Sequence, residues 1–278
     1  MYRGRAPANM ARVEPLEITD LIAHPHVIQA EAAARLRASG QESAARLVEA
    51  LPAVDGVLDE AQRRRLLRRI HAEIQRLGEE LQLPRRVAEE LRIISSRRRF
   101  TRVIDVGCGA GYVLRSLARA RALPGVELIA TDLDAELIDM GQELAALDGC
   151  DVTFRVADAL VVATDGTPTV VISTGFLHHL RRDDVGPFLA RHETPDVVGF
   201  LHYDPEPGWL TNLGSRVFHR SRMREPISRH DGNLSMRRAH PARFLLHTGA
   251  MAAPSFELAC RDGQSLLHAF RPLVGVRR

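Results

Sequence analysis

The residues with the clearest chemical potential are three glycines that follow a short strand. The mostly apolar run Val103 to Val106 leads into Gly107-Cys-Gly-Ala-Gly111, and an amphipathic stretch begins near Tyr112. Glycines between a strand and a helix let the backbone approach a ligand, and the helix N-terminus presents free N–H groups. The spacing G-x-G-x-G is shorter than the dinucleotide fingerprint G-x-G-x-x-G. It favours a compact ligand without a pyrophosphate.

Imidazoles follow two later apolar runs. His178 and His179 come after the run Val170 to Ile172, and His202 lies in the next run together with Tyr203. An imidazole is the commonest general base, so His178, His179 and His202 are candidate catalytic residues. The alternative for the His178–His179 pair is a hydrogen bond to backbone at the strand end. Because consecutive strand residues point to opposite faces, at most one of His202 and Tyr203 is expected in a pocket.

Composition excludes several classes of protein. The chain has 278 residues, of which 45% are hydrophobic and 26% charged, and all 38 basic residues are Arg. Lysine Schiff-base catalysis and the P-loop both need the amine of a lysine, so these two classes are excluded. Cys108, Cys150 and Cys260 are widely spaced and odd in number, so neither a disulfide framework nor a metal site is predicted.

No apolar run approaches the roughly 20 residues that span a bilayer, and the N-terminus lacks the pattern of an export signal. A cytoplasmic location without a membrane partner is therefore predicted.

The first third of the chain has helical spacing. Residues 15–96 predict four or five helices, broken near Gly40, Pro52 to Gly56 and Pro84. Leu58, Ile70, Ile74 and Leu77 are expected on one packed side, with the basic residues mostly elsewhere: Arg63, Arg64, Arg68 and Arg69. We interpret residues 1–99 as an N-terminal helical cap.

From Phe100 onward, short apolar runs alternate with amphipathic stretches. Apolar runs such as Val197 to Leu201 are typical of a parallel sheet covered on both faces. Phe256 to Cys260 and Leu266 to Phe270 flank a turn and suit an antiparallel hairpin that closes the sheet. The prediction is an α/β fold with seven mostly parallel strands and an antiparallel last strand. An insertion at about residues 205–253, helical from Trp209 to Arg220, is expected to lie over the active face as part of a lid.

The glycine segment resembles the first motif of the class I S-adenosylmethionine-dependent methyltransferases, (V/I)-(L/I)-D-(V/L)-G-x-G-x-G, at every defined position. Leu128 to Asp134, Phe154 to Leu160 and Val170 to Leu180 resemble the family's next three strand motifs. The resemblance implies a Rossmann-like domain over residues 100–278 and S-adenosylmethionine as cofactor. It implies these cofactor-binding residues: Asp105, Gly107, Gly109, Gly111, Asp132, Leu133, Asp158, Ala159 and Thr174.

Within that resemblance, Asp132 would accept both ribose hydroxyls, and Asp158 and Ala159 would contact the adenine. The competing interpretations are a helix N-cap for Asp132 and a solvated loop carboxylate for Asp158. One departure concerns the fourth strand, where many relatives have a Phe-Asp-x-Val pattern and this chain has Pro168-Thr-Val-Val171.

The acceptor is expected beyond the fourth and fifth strands. Tyr203 and the insertion residues His219, Arg224 and His230 are candidate substrate-binding residues. Arginine forks bind carboxylate or phosphate, so an anionic acceptor is one hypothesis and a solvated surface segment is the alternative.

The leading functional prediction is methyl transfer to a small organic molecule of the secondary-metabolite type. One alternative is an RNA methyltransferase that uses the arginines of the helical cap. Modest net charge, 5% aromatic residues and the lack of an Asn-Pro-Pro-Tyr-like element argue against nucleic acid. The other alternative is a non-catalytic cofactor-binding partner protein. A homodimer is compatible with the helical cap.

Overall fold

The computed structural model describes residues 15–161, 165–261 and 270–278. The chain divides into two compact units, residues 1–67 and residues 68–278. The described part of the first unit contains α1 (Ile18–Ile22), α2 (Gln29–Ala38), α3 (Glu42–Glu49), the strands β1 (Ala53–Val54) and β2 (Val57–Leu58), and the start of α4 (Glu60–Glu80).

The first unit has its own small core. Ile18, Leu36 and Val48 are fully buried there. Arg63 is buried as well: it pairs with Glu60 at 2.6 Å and donates to backbone carbonyls of the loop after α1. Buried cations need such partners. The prediction that Arg63 lies away from the packed side of the helix is therefore wrong.

The second unit contains the rest of α4 and all later elements. These are α5 (Leu83–Arg97), β3 (Arg102–Val106), α6 (Tyr112–Arg119), β4 (Glu127–Asp132), α7 (Ala135–Asp148), β5 (Thr153–Val156), β6 (Thr169–Thr174), a 3-10 turn (Leu177–His179), α8 (Arg182–Ala190), a second 3-10 turn (Arg191–Glu193), β7 (Val197–Pro205), α9 (Trp209–Arg222), α10 (Pro226–Arg238), α11 (Ala242–Ala252), β8 (Phe256–Cys260) and β9 (Phe270–Arg277).

Seven strands form one sheet in the order β5-β4-β3-β6-β7-β9-β8. The first five in this order are parallel, and β9 is antiparallel to both β7 and β8. The predicted fold class, with its antiparallel last strand, is confirmed. The strands β8 and β9 form an antiparallel hairpin at the edge of the sheet, as predicted. Of the predicted second strand, Leu266 to Phe270, only Phe270 lies within the described residues.

The sheet is covered on both faces, as its apolar strands predict. One core layer combines α5, α6 and α7 with residues such as Val103 and Ile172, and the other combines α8 and α11 with residues such as Val171 and Phe200. Because α5 packs in the same core as the strands, the predicted boundary at residue 99 lies inside the second unit. Within the described ranges, every helix is too short or too polar to cross a membrane.

Helix α4 departs from its predicted amphipathic pattern. Ile70 is buried, Ile74 is 48% exposed, and Leu58 lies in β2 rather than in the helix. The break before α5 comes from Gln82, whose φ is +53°, while Pro84 lies in the first turn of α5. Proline suits that position because a first-turn N–H has no intrahelical partner.

Candidate functional site

The glycine segment forms a tight turn at the carboxyl end of β3. Gly107, Gly109 and Gly111 all have positive φ, between +55° and +67°. A β-carbon added at Gly107 would lie 2.5 Å from the ring of Phe176, and one added at Gly111 would lie 2.5 Å from Phe154. Side chains longer than hydrogen are therefore excluded by both conformation and space.

Asp132 ends β4 and holds the glycine turn. Its Oδ2 accepts the N–H of Gly109 at 2.8 Å, and its Oδ1 accepts the N–H of Asp134 at 3.0 Å. The N-cap of α7 is Asp134, which accepts from Glu136 and Leu137. The competing interpretation of Asp132 as a helix cap is therefore wrong, and its carboxylate faces the glycine turn.

Asp105 lies beneath the same turn. It is 1% exposed, and among the described residues its Oδ1 has no hydrogen-bond partner. Burial, and then the charge of Asp132, raises the pKa of Asp105 to about 8. Burial also raises the pKa of Asp132. Burial therefore disfavours the charged form of both carboxyl groups at this sheet edge.

His71, on α4, lies against the glycine turn and was not predicted from the sequence. A β-carbon added at Gly109 would lie 3.3 Å from the His71 ring. The ring Nε2 is buried and lacks a partner within the described residues, and burial lowers the pKa of His71 to about 4. A neutral imidazole with an unsatisfied nitrogen therefore faces the turn. Helical periodicity carried no signal for it, because nothing in the sequence connects α4 with the turn.

The remaining predicted cofactor residues lie at the ends of neighbouring strands. The loop after β5 joins the site through a hydrogen bond of 2.9 Å from the Ala157 N–H to the Asp132 carbonyl. Asp158 is exposed, and its carboxylate accepts the Leu160 N–H at 2.8 Å. Leu133 is 68% exposed. Ala159 is half-buried, and Thr174 ends β6.

A histidine–carboxylate pair lies at the ends of β6 and β7. His178 Nδ1 is 2.6 Å from Asp204 Oδ1, and the His178 N–H donates to Asp204 Oδ2 at 2.7 Å. Both residues are buried, and the rings of His178 and His179 lie 4.4 Å apart. Asp204 thus fixes both the backbone and the ring of His178. No sequence pattern pairs Asp204 with His178.

His202 lies in the core. It is fully buried, pairs with Ser173 at 2.9 Å, and its ring stacks 5.3 Å from that of Phe200. Burial, with the nearby His192, lowers the pKa of His202 well below its usual value. This environment argues against the predicted catalytic role, because the residue has no exposed surface that could meet an acceptor.

Tyr203 points to the opposite face, as strand geometry requires, and is also buried. The guanidinium of Arg86 lies 5.1 Å from the centre of its ring, and burial raises the pKa of Tyr203 to about 12. Both side chains therefore pack in the core layers, one on each face of the sheet, and not in the pocket that was expected for one of them.

The other three candidate substrate residues lie on or beside α9 and α10. His219 Nδ1 lies 3.2 Å from Asn233 Oδ1, and His230 Nδ1 lies 2.8 Å from Asp231 Oδ1. Arg224 has an exposed side chain, and its N–H donates to Glu73 at 2.6 Å. Of the three, only Arg224 presents an exposed charge. The helix predicted to end at Arg220 runs to Arg222.

Comparison with known proteins agrees with this geometry. Residues 103–193 match a family described as a methyltransferase domain. A release factor glutamine methyltransferase from Deinococcus radiodurans is 38% identical over 85 residues, which are 31% of this chain. The chain spans only 28% of the length of that relative.

Two solved structures share the fold. Magnesium protoporphyrin IX methyltransferase from Synechocystis PCC 6803, with bound SAH, has a TM-score of 0.52 at 16% identity and covers 90% of this chain and 100% of its own. The methyltransferase domain of a bacterial Hen1 protein, CtHen1-C, has a TM-score of 0.52 at 12% identity. The match covers 70% of this chain and 97% of the Hen1 domain.

The sheet order and the glycine turn define a Rossmann-like domain. Residues 103–193, which include the glycine turn, Asp132 and the His178–His179 pair, are similar to a methyltransferase domain, as the sequence motifs predict.

Proposed function

We propose that this chain transfers a methyl group from S-adenosylmethionine to a small organic acceptor at the carboxyl edge of the sheet. The observation that carries the proposal is the approach of the Asp132 carboxylate to the Gly109 N–H at 2.8 Å, within a turn of three positive-φ glycines. The similarity of residues 103–193 to a methyltransferase domain supports the reaction, and the class of acceptor and the residues that act on it are proposed in addition.

The residues of the turn fit an adenosyl group with a polar tail. Each oxygen of Asp132 accepts one backbone N–H and keeps capacity for a ribose hydroxyl. Asp158 and Ala159 follow the neighbouring strand, where the adenine would lie. The unsatisfied Nε2 of His71 and Oδ1 of Asp105 are two further polar atoms that can contact the ligand. Buried polar atoms without partners are uncommon in native structures, so a ligand explains both.

When bound, the cofactor supplies a methyl group already activated by the positive sulfonium. The chain therefore has to hold the acceptor atom near that methyl group, exclude water and accept a proton when the acceptor is a hydroxyl.

We assign the proton-accepting role to His178. Asp204 lies 2.6 Å from Nδ1 and thereby favours the ring tautomer with its proton on Nδ1. The proton from an acceptor would then go to Nε2, and the buried carboxylate would stabilise the resulting imidazolium. His179, whose tilted ring lies 4.4 Å from that of His178, is the alternative base. Because His202 is sealed in the core, it is given no part in the reaction.

Arg224 and the α9–α10 segment are proposed to lie on the acceptor side. The exposed guanidinium of Arg224 can bind a carboxylate or phosphate on the acceptor, which supports an anionic small molecule. The helices of residues 205–253 are proposed as part of a lid.

Calorimetry tests the cofactor site. The wild-type chain is expected to release heat on titration with S-adenosylhomocysteine, and Asp132→Ala is expected to weaken binding at least about tenfold, since it removes a charged hydrogen-bond acceptor. Asp151→Ala, an exposed carboxylate after α7, is the matched control and should bind like the wild type. An absence of heat with the wild-type chain would refute the proposal.

A labelled methyl donor tests the acceptor class. The chain is incubated separately with small metabolites, with total RNA and with proteins from a cell extract. Label in the small-molecule fraction supports the proposal. Label confined to RNA or to protein overturns the acceptor class, and intact cofactor binding without any labelled fraction favours the non-catalytic alternative.

A further inference from the structure

Helix α9 carries its large apolar side chains on the outside of the protein. Trp209 is 75% exposed, Leu213 57% and Val217 67%. They follow one another at intervals of four residues, so they form a single stripe along the helix. Exposed single apolar residues are common, but three aligned on one helix face form a patch that indicates a binding surface.

The opposite side of α9 is the one that packs, and it is largely polar. His219 is buried against α10 with its Nδ1 near Asn233, and Thr211 Oγ1 donates to backbone carbonyls at 2.9 and 3.1 Å. The Oδ1 of Asn212 is also buried. The stripe therefore does not serve to hold α9 on the fold. Its apolar character needs another explanation.

The charges around the stripe have one sign. Residues 207–224 contain four Arg and neither Asp nor Glu. Arg216 and Arg220 are exposed and lie three residues after Leu213 and Val217, so they border the stripe. A tryptophan-led apolar stripe with an arginine border matches the chemistry of an anionic lipid surface, with acyl chains beneath a layer of phosphates.

We propose that α9 docks on a membrane surface that contains anionic phospholipid. Trp209, Leu213 and Val217 would enter the acyl boundary, while Arg216 and Arg220 would contact lipid phosphates. This goes beyond methyl transfer and does not depend on it. Surface docking needs no spanning helix, so the proposal revises the sequence-based prediction that excluded a membrane partner on that ground.

The single tryptophan of the chain makes the assay specific to α9. The full-length chain is mixed with vesicles of phosphatidylcholine alone, or of phosphatidylcholine with phosphatidylglycerol. With the anionic vesicles, the emission of Trp209 is expected to shift to shorter wavelength and to be quenched by brominated acyl chains. High salt should weaken the effect because it screens the attraction between arginine and phosphate.

Variants that keep Trp209 separate the apolar from the charged contribution. Leu213→Ser is expected to lower the vesicle partition coefficient about tenfold, the amount lost with one buried leucine side chain. Arg216→Glu with Arg220→Glu should abolish the preference for anionic vesicles. Leu147→Ser, at a leucine 83% exposed on α7, and Arg92→Glu, at an exposed arginine on α5, are the matched controls and should partition like the wild type.

S-adenosylhomocysteine binding, measured in parallel, reports folding and the proposed function separately from docking. A chain that binds this ligand but shows no emission shift with anionic vesicles overturns the proposal. An emission shift that depends on protein concentration without lipid assigns the stripe to a second copy of the chain, and also overturns it. Equal shifts with both kinds of vesicle overturn the assignment to anionic lipid.

Discussion

Replacing Asp105 by asparagine removes a buried titrating carboxyl group and keeps its size. Asp105 is 1% exposed beneath the glycine turn, and its Oδ1 has no partner within the described residues. Burial, followed by the charge of Asp132, raises the pKa of Asp105 from 3.8 to about 8. The folded protein therefore keeps this proton at pH values where the unfolded chain has released it.

The sign of the pH effect follows from this difference. The folded state holds more protons than the unfolded state between about pH 4 and pH 8, so the free energy of unfolding falls as the pH rises through this window. Below the unfolded pKa the contribution of the group is fully present, and above about pH 8 it is lost. Four pH units at about 1.4 kcal/mol each correspond to roughly 6 kcal/mol. Asparagine does not titrate, so Asp105→Asn should become more stable relative to the wild type across the same window.

Urea unfolding at several pH values between 4 and 9 measures the effect. The difference in free energy of unfolding between Asp105→Asn and the wild type should grow with pH and level off above about pH 8. Asp151→Asn, at an exposed position, serves as the control. Parallel pH profiles for wild type and Asp105→Asn would refute the assignment of a raised pKa to this carboxyl group.

Gly107 has a φ of +64°, and a β-carbon added there would lie 2.5 Å from a ring, so Gly107→Ala should lower the free energy of unfolding in urea by about 3 kcal/mol. Gly149 has a similar φ of +62° but open space around it, so Gly149→Ala should lower it by only about 1 kcal/mol. Equal losses for the two variants would contradict the argument that the ring leaves no space at Gly107. Arg115→Met removes a buried guanidinium that donates to Asp148 at 2.5 Å, so we expect the free energy of unfolding in urea to fall by about 3 kcal/mol. An unchanged urea midpoint would contradict this expectation. Asp204→Asn should lower kcat about tenfold or more and alter its pH profile without raising KM for the cofactor; a change confined to KM would assign the Asp204–His178 pair to structure.

The sheet was predictable because its central strands are mostly apolar. Val103, Val171 and Phe200 are buried in the two core layers, and no alternation had to be resolved to place such strands inside a covered sheet. The burial of these strands also explains why the predicted catalytic role of His202 was misleading. A histidine in a strand buried on both faces can lie in the core, and its position near the strand's carboxyl end suggested a reactive role that its complete burial opposes.

The site was predictable where backbone chemistry restricts the residue type. The glycine turn requires positive φ, and Asp132 ends the neighbouring strand, so the structure brings them together at 2.8 Å. Their roles toward the cofactor stay predictions. Asp204 as the partner of His178 could not be derived, because it depends on the register between the ends of β6 and β7.

Helix α4 shows why polar burial escapes hydrophobic periodicity. His71 and Gln75 lie four residues apart and face the glycine turn and α6, where Gln75 accepts from Arg115 at 3.1 Å. Arg69 and Glu73 form a second pair with the same spacing and face the segment before α10: Arg69 pairs with Glu225 at 2.6 Å. Each pair shares a helix face, so α4 presents two adjacent polar surfaces.

A periodicity analysis assigns both polar surfaces of α4 to solvent, because it scores only apolar residues. The structure instead buries Glu73, whose carboxylate accepts two backbone N–H groups at the start of α10. One helix therefore supports the glycine turn on one face and the α9–α10 segment on the next. The same two turns of α4 therefore contact the glycine turn through His71 and the segment before α10 through Glu73.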